Sequence, residues 1–163
     1  MFSIFRRGPR FVDREFSDLS LMLTQDEQHP TYRRELLRAE ALDFSLESLK
    51  HLDEYLEVLH QSPPQGQDFL RVALRCGAYV GEVMRKASPG TYHWVTHEEA
   101  AKHSKFIASS QSSIGTAGIL WENADALSFP LGKVCKFLEN GTEDSVYFFA
   151  RMLLRKKDDH QSP

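Results

Sequence analysis

Cys76-Gly77-Ala78-Tyr79-Val80-Gly81-Glu82-Val83-Met84-Arg85, followed closely by Tyr92-His93-Trp94-Val95, is the stretch around which the chain is arranged. From Gln67 to Ala87, residues Phe69, Val72, Ala73, Cys76, Val80, Val83 and Ala87 recur at steps of three and four, which marks one face of a helix. Gly77 and Gly81 lie four apart and so share a side of it. Each glycine costs a helix interior roughly 1 kcal/mol relative to alanine. Two in one turn predict close approach by another part of the chain; the alternative is that they clear space for a ligand. Arg75, Tyr79, Glu82 and Lys86 form a second face, on which Glu82 and Lys86 have the order of a solvated ion pair. The sharper reading has Tyr79 and Glu82 pointing into a shallow cleft beside Trp94.

On the N-terminal side, Ser62-Pro63-Pro64-Gln65-Gly66 is a loop. Before it, Leu46, Leu49, Leu52, Leu56 and Leu59 give the buried stripe of a helix capped by Asp43 or Ser45. The short connection predicts that this helix lies antiparallel to the glycine helix. Further upstream, Phe11, Val12, Phe16, Leu19 and Leu23 predict a helix that His29-Pro30 breaks, and Thr31 a cap for another over residues 32–41. Residues 1–10 read as a flexible basic leader.

On the C-terminal side, Thr91–Val95 reads as a strand, and Thr96-His97-Glu98-Glu99 as a capping box opening a short helix. Ile114–Trp121 reads as a second strand and Ala126–Phe129 as a short returning one. Pro130 suits the first turn of the next helix, which Asn140-Gly141 ends. Thr142 is expected to cap a last helix, with residues 158–163 a disordered tail. The sum is an α+β fold: one mainly helical domain over residues 11–157, with a small two- or three-stranded antiparallel sheet between N-terminal and C-terminal helices.

Composition narrows the function classes. The chain has 163 residues and a formal net charge of −3, so no strong field for nucleic acid or an anionic membrane is expected. Cys76 and Cys135, the two cysteines, each lie on an apolar helical stripe. They read as reduced core thiols, which implies a cytoplasmic setting. No secretory leader and no membrane-spanning window is evident.

No motif carries chemistry. His93 and His97 are four apart, but no further His or Cys falls at a zinc spacing, so no metal is expected. Cys76 sits mid-helix on the apolar stripe, a setting for an inert thiol. There is no G-x-S-x-G elbow, and no Gly-Lys-Ser/Thr follows Ile114-Gly115-Thr116-Ala117-Gly118. No catalytic residue and no cofactor are expected.

The pattern Gly77-Ala78-Tyr79-Val80-Gly81-Glu82-Val83, then Trp94, then Phe129-Pro130-Leu131-Gly132-Lys133-Val134 with Gly141, resembles small uncharacterised bacterial proteins that place a G-x-Y-x-G-E helix before a tryptophan strand. The resemblance covers roughly residues 43–154 and implies neither an activity nor site residues. In size and style such proteins are similar to immunity proteins of bacterial toxin systems, by analogy alone.

Two functions follow as expectations. Between Glu40 and Glu57 there are six carboxylates and one lysine. A non-enzymatic protein-binding module would present Asp43, Glu47, Asp53, Glu54 and Glu57 as an acidic helix face to a protein partner such as a basic toxin. The alternative is a small enzyme or ligand-binding domain, with Tyr79, Glu82, Trp94 and Trp121 lining a cleft between the glycine helix and the sheet.

Overall fold

The computed structural model describes residues 7–161. Its helices are α1 (Asp13–Gln25), α2 (Ser48–Gln61), α3 (Gly66–Ala87), α4 (His97–Ala101), α5 (Lys105–Ala108), α6 (Pro130–Asn140) and α7 (Val146–Gln161). The strands are β1 (His93–Val95), β2 (Ile119–Asn123) and β3 (Ala126–Ser128). They form one antiparallel sheet in the order β1-β2-β3. This is the expected α+β architecture, with the third strand present.

Helix α3 is the centre of the core. It packs chiefly on α1 and α6, while α2 packs on α6 and α7. The expected partnership of α3 with α2, its neighbour in sequence, is therefore a minor one. The two glycines explain the arrangement. A Cβ on Gly77 would lie 2.7 Å from the Leu131 Cα, so α6 starts directly against the α3 backbone. A Cβ on Gly81 would lie 2.0 Å from Cζ2 of Trp94, so the indole occupies the space a side chain would need. Phe16 of α1 stacks on that indole at 4.3 Å between centroids, and its ring in turn fills the space beside Gly118.

Alternation along the strands divides the sheet between two cores. Trp94 and its cross-strand partner Leu120 belong to the main helical core. Val95, Ile119 and Trp121 belong to a smaller core on the other face, closed by Ala100 and Ile107 of α4 and α5. Caps hold the small helices in place: Thr96 accepts from the Glu99 N–H, and Ser104 from that of Ile107.

Several local expectations are corrected. Residues 32–41 form no α-helix but two 3₁₀ turns, Arg34–Leu36 and Ala39–Ala41. Thr31 caps nothing there; its hydroxyl donates to the Leu23 carbonyl and accepts from Arg75. The segment is organised around the Arg75 guanidinium rather than by its own hydrogen-bond ladder. Regular α2 starts at Ser48, after Phe44 in a left-handed conformation (φ 62°) and tight turns from Ser45, whose hydroxyl accepts from the Ser48 N–H at 3.2 Å as expected of a cap. Of the expected strand from Ile114, residues Ile114–Thr116 are a 3₁₀ turn and pairing begins at Ile119. Thr142 likewise opens a 3₁₀ turn; Ser145 accepts from the Phe148 N–H at the head of α7. Residues 158–161, expected as disordered tail, continue α7, and 162–163 lie outside the described residues. Of the expected flexible leader, residues 1–6 lie outside them too, whereas the Arg10 N–H is anchored on Glu99 at 3.0 Å.

Candidate functional site

The residues expected to line a cleft are walled into the core. Tyr79, Glu82, Trp94 and Trp121 are all buried, and Trp121 faces the smaller core. The Tyr79 hydroxyl accepts from the Phe44 N–H at 2.9 Å and shares a 2.7 Å hydrogen bond with Ser48. It holds the turn before α2 in its left-handed bend. Glu82 is 3% exposed rather than solvated, and its partner is Arg85, not Lys86. Lys86 instead rides over the Phe44 ring, 3.8 Å from its centroid.

Around Trp94 a set of charged groups closes on itself. Asp13, the first residue of α1, accepts from the Trp94 N–H at 2.6 Å and pairs with His93 Nδ1 at 2.8 Å. Arg85 reaches Asp13 at 3.2 Å, Glu82 at 2.8 Å and the Tyr92 carbonyl at 3.2 Å. The indole Nε1–H makes a long 3.4 Å contact with Glu82. An acid pair, an imidazole and an arginine are the ingredients of acid–base chemistry. Here each carboxylate is already committed to neighbouring chain, and together they tie α1, α3 and β1 to one another. Two turns nearer the start of α3, Arg75 is treated in the same way. It is buried and bonded to Asp26 at 2.6 Å, to the His29 carbonyl at 2.8 Å and to Thr31 at 3.1 Å. The His29 N–H, with help from Arg75, holds the Asp26 carboxyl below its ordinary range. Burial pushes the Cys76 thiol up, the reverse of what a nucleophile requires.

The acidic helix is divided. Asp53 is withdrawn from the expected partner surface: it accepts from the Ser145 hydroxyl at 2.5 Å and the Val146 N–H at 2.8 Å, anchoring the start of α7. Burial raises its carboxyl pKa against the pull of those donors. Asp43, Glu47 and Glu54 are exposed, with Asp43 accepting from the Ser45 N–H, Glu47 paired with Lys50 at 2.6 Å, and Glu54 between Arg38 and His51. Glu57 is half-buried beside His60 and Gly141, accepting from Gln61.

A different place is open. Along the free edge of β3 runs a groove of about 500 Å³, walled by Phe106 and Ile107 of α5, Leu127–Phe129, the first turn of α6, and Phe149 and Leu153 of α7. Its walls are mostly apolar, and Phe106 at the rim is 69% exposed. In this lining Ser128 is 8% exposed, and its hydroxyl has no hydrogen-bond partner. Lys133 and Lys136 stand at one side, Lys133 paired with Asp144 at 2.7 Å. A volume of this size, apolar with a few polar groups, is the usual form of a small-molecule site. The β3 strand and the Pro130 helix start were legible in the sequence. That Ser128 has no partner was not, because its surroundings come from α5 and α7, distant in the chain.

Among the described residues no cluster of three or more His, Cys, Asp or Glu is placed to hold a metal ion, and no helix is long and apolar enough to cross a membrane. No family model matches the chain, and no curated protein or solved structure matches it either.

Proposed function

We propose that the protein is a non-enzymatic binding protein that holds an elongated, largely apolar ligand in the groove along β3. The observation that carries this reading is the groove itself, about 500 Å³ with mostly apolar walls and Phe106 69% exposed at its rim. The groove lies at the sheet edge, not between the glycine helix and the sheet, where the Trp94 indole fills the space. Two free thiols, Cys76 and Cys135, favour a reducing, cytoplasmic setting for this activity. Toxin neutralisation through the acidic helix has less behind it: Asp53 is engaged within the fold, and Lys50 and Arg38 offset Glu47 and Glu54.

Calorimetric titration with decan-1-ol below its solubility limit tests the reading. Saturable binding that Leu153→Trp abolishes is the expected result, because the larger ring fills the groove. Absence of binding, or binding that Leu153→Trp leaves unchanged, contradicts it.

A further inference from the structure

We infer that the free edge of β3 takes up an extended peptide as a further strand, with apolar side chains set into the groove and acidic residues beside them. The inference rests on the groove being a ligand site and names the class of its occupant. It starts from the direction of the backbone groups. Trp94 turns both of its own away from the sheet: its N–H donates to Asp13, and its carbonyl accepts from the Val12 N–H. Along an antiparallel pair, residues alternate between facing the partner strand with both groups and facing away with both. Leu120, opposite Trp94, therefore turns its groups toward β3, and Trp121 turns its groups toward β1. On β3, Ser128 answers Leu120, whereas Leu127, opposite Trp121, directs its N–H and its carbonyl away from β2. The irregularity between Trp121 and Asn123 keeps this alternation on β3, where Ala126, opposite Asn123, faces β2 again. Strand β3 is the last of the sheet, and no other backbone group bonds to Leu127 among the described residues.

A strand laid against this edge closes both bonds on one of its own residues, and its side chains alternate between the two faces of the sheet. The residue level with Leu127 shares its face, where Phe106 and Phe129 line the groove. The residues on either side of it point to the other face, where Leu153 of α7 stands. An alkyl chain fills the same walls but leaves the Leu127 groups to water. Charge sets the flanks. Five lysines line the concavities that meet at Leu127, namely Lys105, Lys133, Lys136, Lys156 and Lys157, against the carboxylates of Glu122 and Asp125, in a chain of formal net charge −3. Lys133 and Lys157 are paired with Asp144 and Glu122, whereas Lys105, Lys136 and Lys156 form no ion pair within 4 Å among the described residues. That local excess of positive charge is complementary to an acidic partner and opposes a basic one.

Calorimetric titration of the full chain with the peptide acetyl-Asp-Val-Phe-Val-Asp-amide, read together with hydrogen exchange at the Leu127 amide, tests this. Saturable binding and slowed exchange at Leu127 are expected. Methylating the backbone nitrogen of the peptide's phenylalanine removes the donor to the Leu127 carbonyl and should weaken binding about tenfold. Replacing both aspartates of the peptide by lysine should weaken it several-fold, and the surface substitutions Lys105→Gln and Lys136→Gln together should narrow that difference. Equal affinity for the methylated peptide, or for the lysine peptide, overturns the inference. Slow Leu127 exchange before peptide is added, with a mass in light scattering that rises with concentration, gives the edge to a second copy of the chain and overturns it too. Binding of decan-1-ol that Leu153→Trp abolishes, without binding of the peptide, overturns the inference while the apolar groove stands. Failure of both probes to bind removes the groove reading and this inference with it.

Discussion

On the side of the sheet that meets α3, Asp13, Glu82, Arg85 and both N–H groups of Trp94 all find partners within the chain. At the free edge of β3, a buried hydroxyl has none. The same contrast appears between two serines. Ser48 and Ser128 are both buried, yet Ser48 bonds Tyr79 and the Ser45 carbonyl while Ser128 bonds nothing. Buried polar groups that close on one another stabilise a fold; one held open against an apolar wall does not. Chemistry-bearing residue types therefore mislead in this molecule. The carboxylates, histidine and arginine around Trp94 bond one another, whereas the buried Ser128 hydroxyl and one Glu57 carboxylate oxygen have no partner.

The sharpest way to break this comparison is Gly81→Ala. Helix propensity alone predicts stabilisation of about 1 kcal/mol. The new methyl would sit 2.0 Å from an indole on which Phe16 stacks, in a residue whose backbone N–H Asp13 holds. Overpacking is expected to win by about 3 kcal/mol of net destabilisation in urea melts. A stabilised variant would show that the Trp94 side is loosely packed. Asp13→Ala comes next. It removes the acceptor for the Trp94 N–H and a partner of Arg85 and His93, and should lower stability by about 2 kcal/mol. A neutral result would reopen the cluster as something other than a structural tie.

The serine pair gives a smaller, opposed effect. Ser48→Ala leaves the Tyr79 hydroxyl short of a partner and should destabilise by about 1 kcal/mol. Ser128→Ala removes an unsatisfied hydroxyl and should be neutral or slightly stabilising in the absence of ligand. Equal losses in the two variants would mean that Ser128 is satisfied after all. The smallest effect is in acid. Because the folded state holds Asp26 below its ordinary range, its contribution is present above the unfolded value, about 3.9, and is lost as pH falls through the lower folded value. Asp26→Asn should accordingly flatten the fall in the urea midpoint below about pH 4. An unchanged slope would place the acid sensitivity elsewhere.

The division between legible and hidden features follows the range of the interactions. Periodicity announced α3, and the glycine spacing announced a close approach, because both are properties of one helix. The capping box at Thr96, Pro130 at the start of α6 and Gly141 at its end are local chemistry and were readable. Glu82 was misread as solvated because its i,i+4 pairing with Lys86 is locally favourable, while Arg85 and the Trp94 indole claim it in the fold. Asp53 looked like its neighbours on an acidic stretch until α7, some ninety positions later, brought the Val146 N–H to it. Thr31 looked like a cap, but Arg75 drew it inward. The groove was invisible for the same reason: its walls come from α5, β3, α6 and α7, and no window of sequence holds them together.

The most direct test is to titrate decan-1-ol into the ¹⁵N-labelled protein and map which backbone amides shift. The account predicts saturating shifts confined to residues 126–133 and 149–153 with the neighbouring α5 amides, and none at Tyr79–Arg85. Shifts centred on Tyr79–Arg85 and Trp94, with residues 126–133 unmoved, would contradict it.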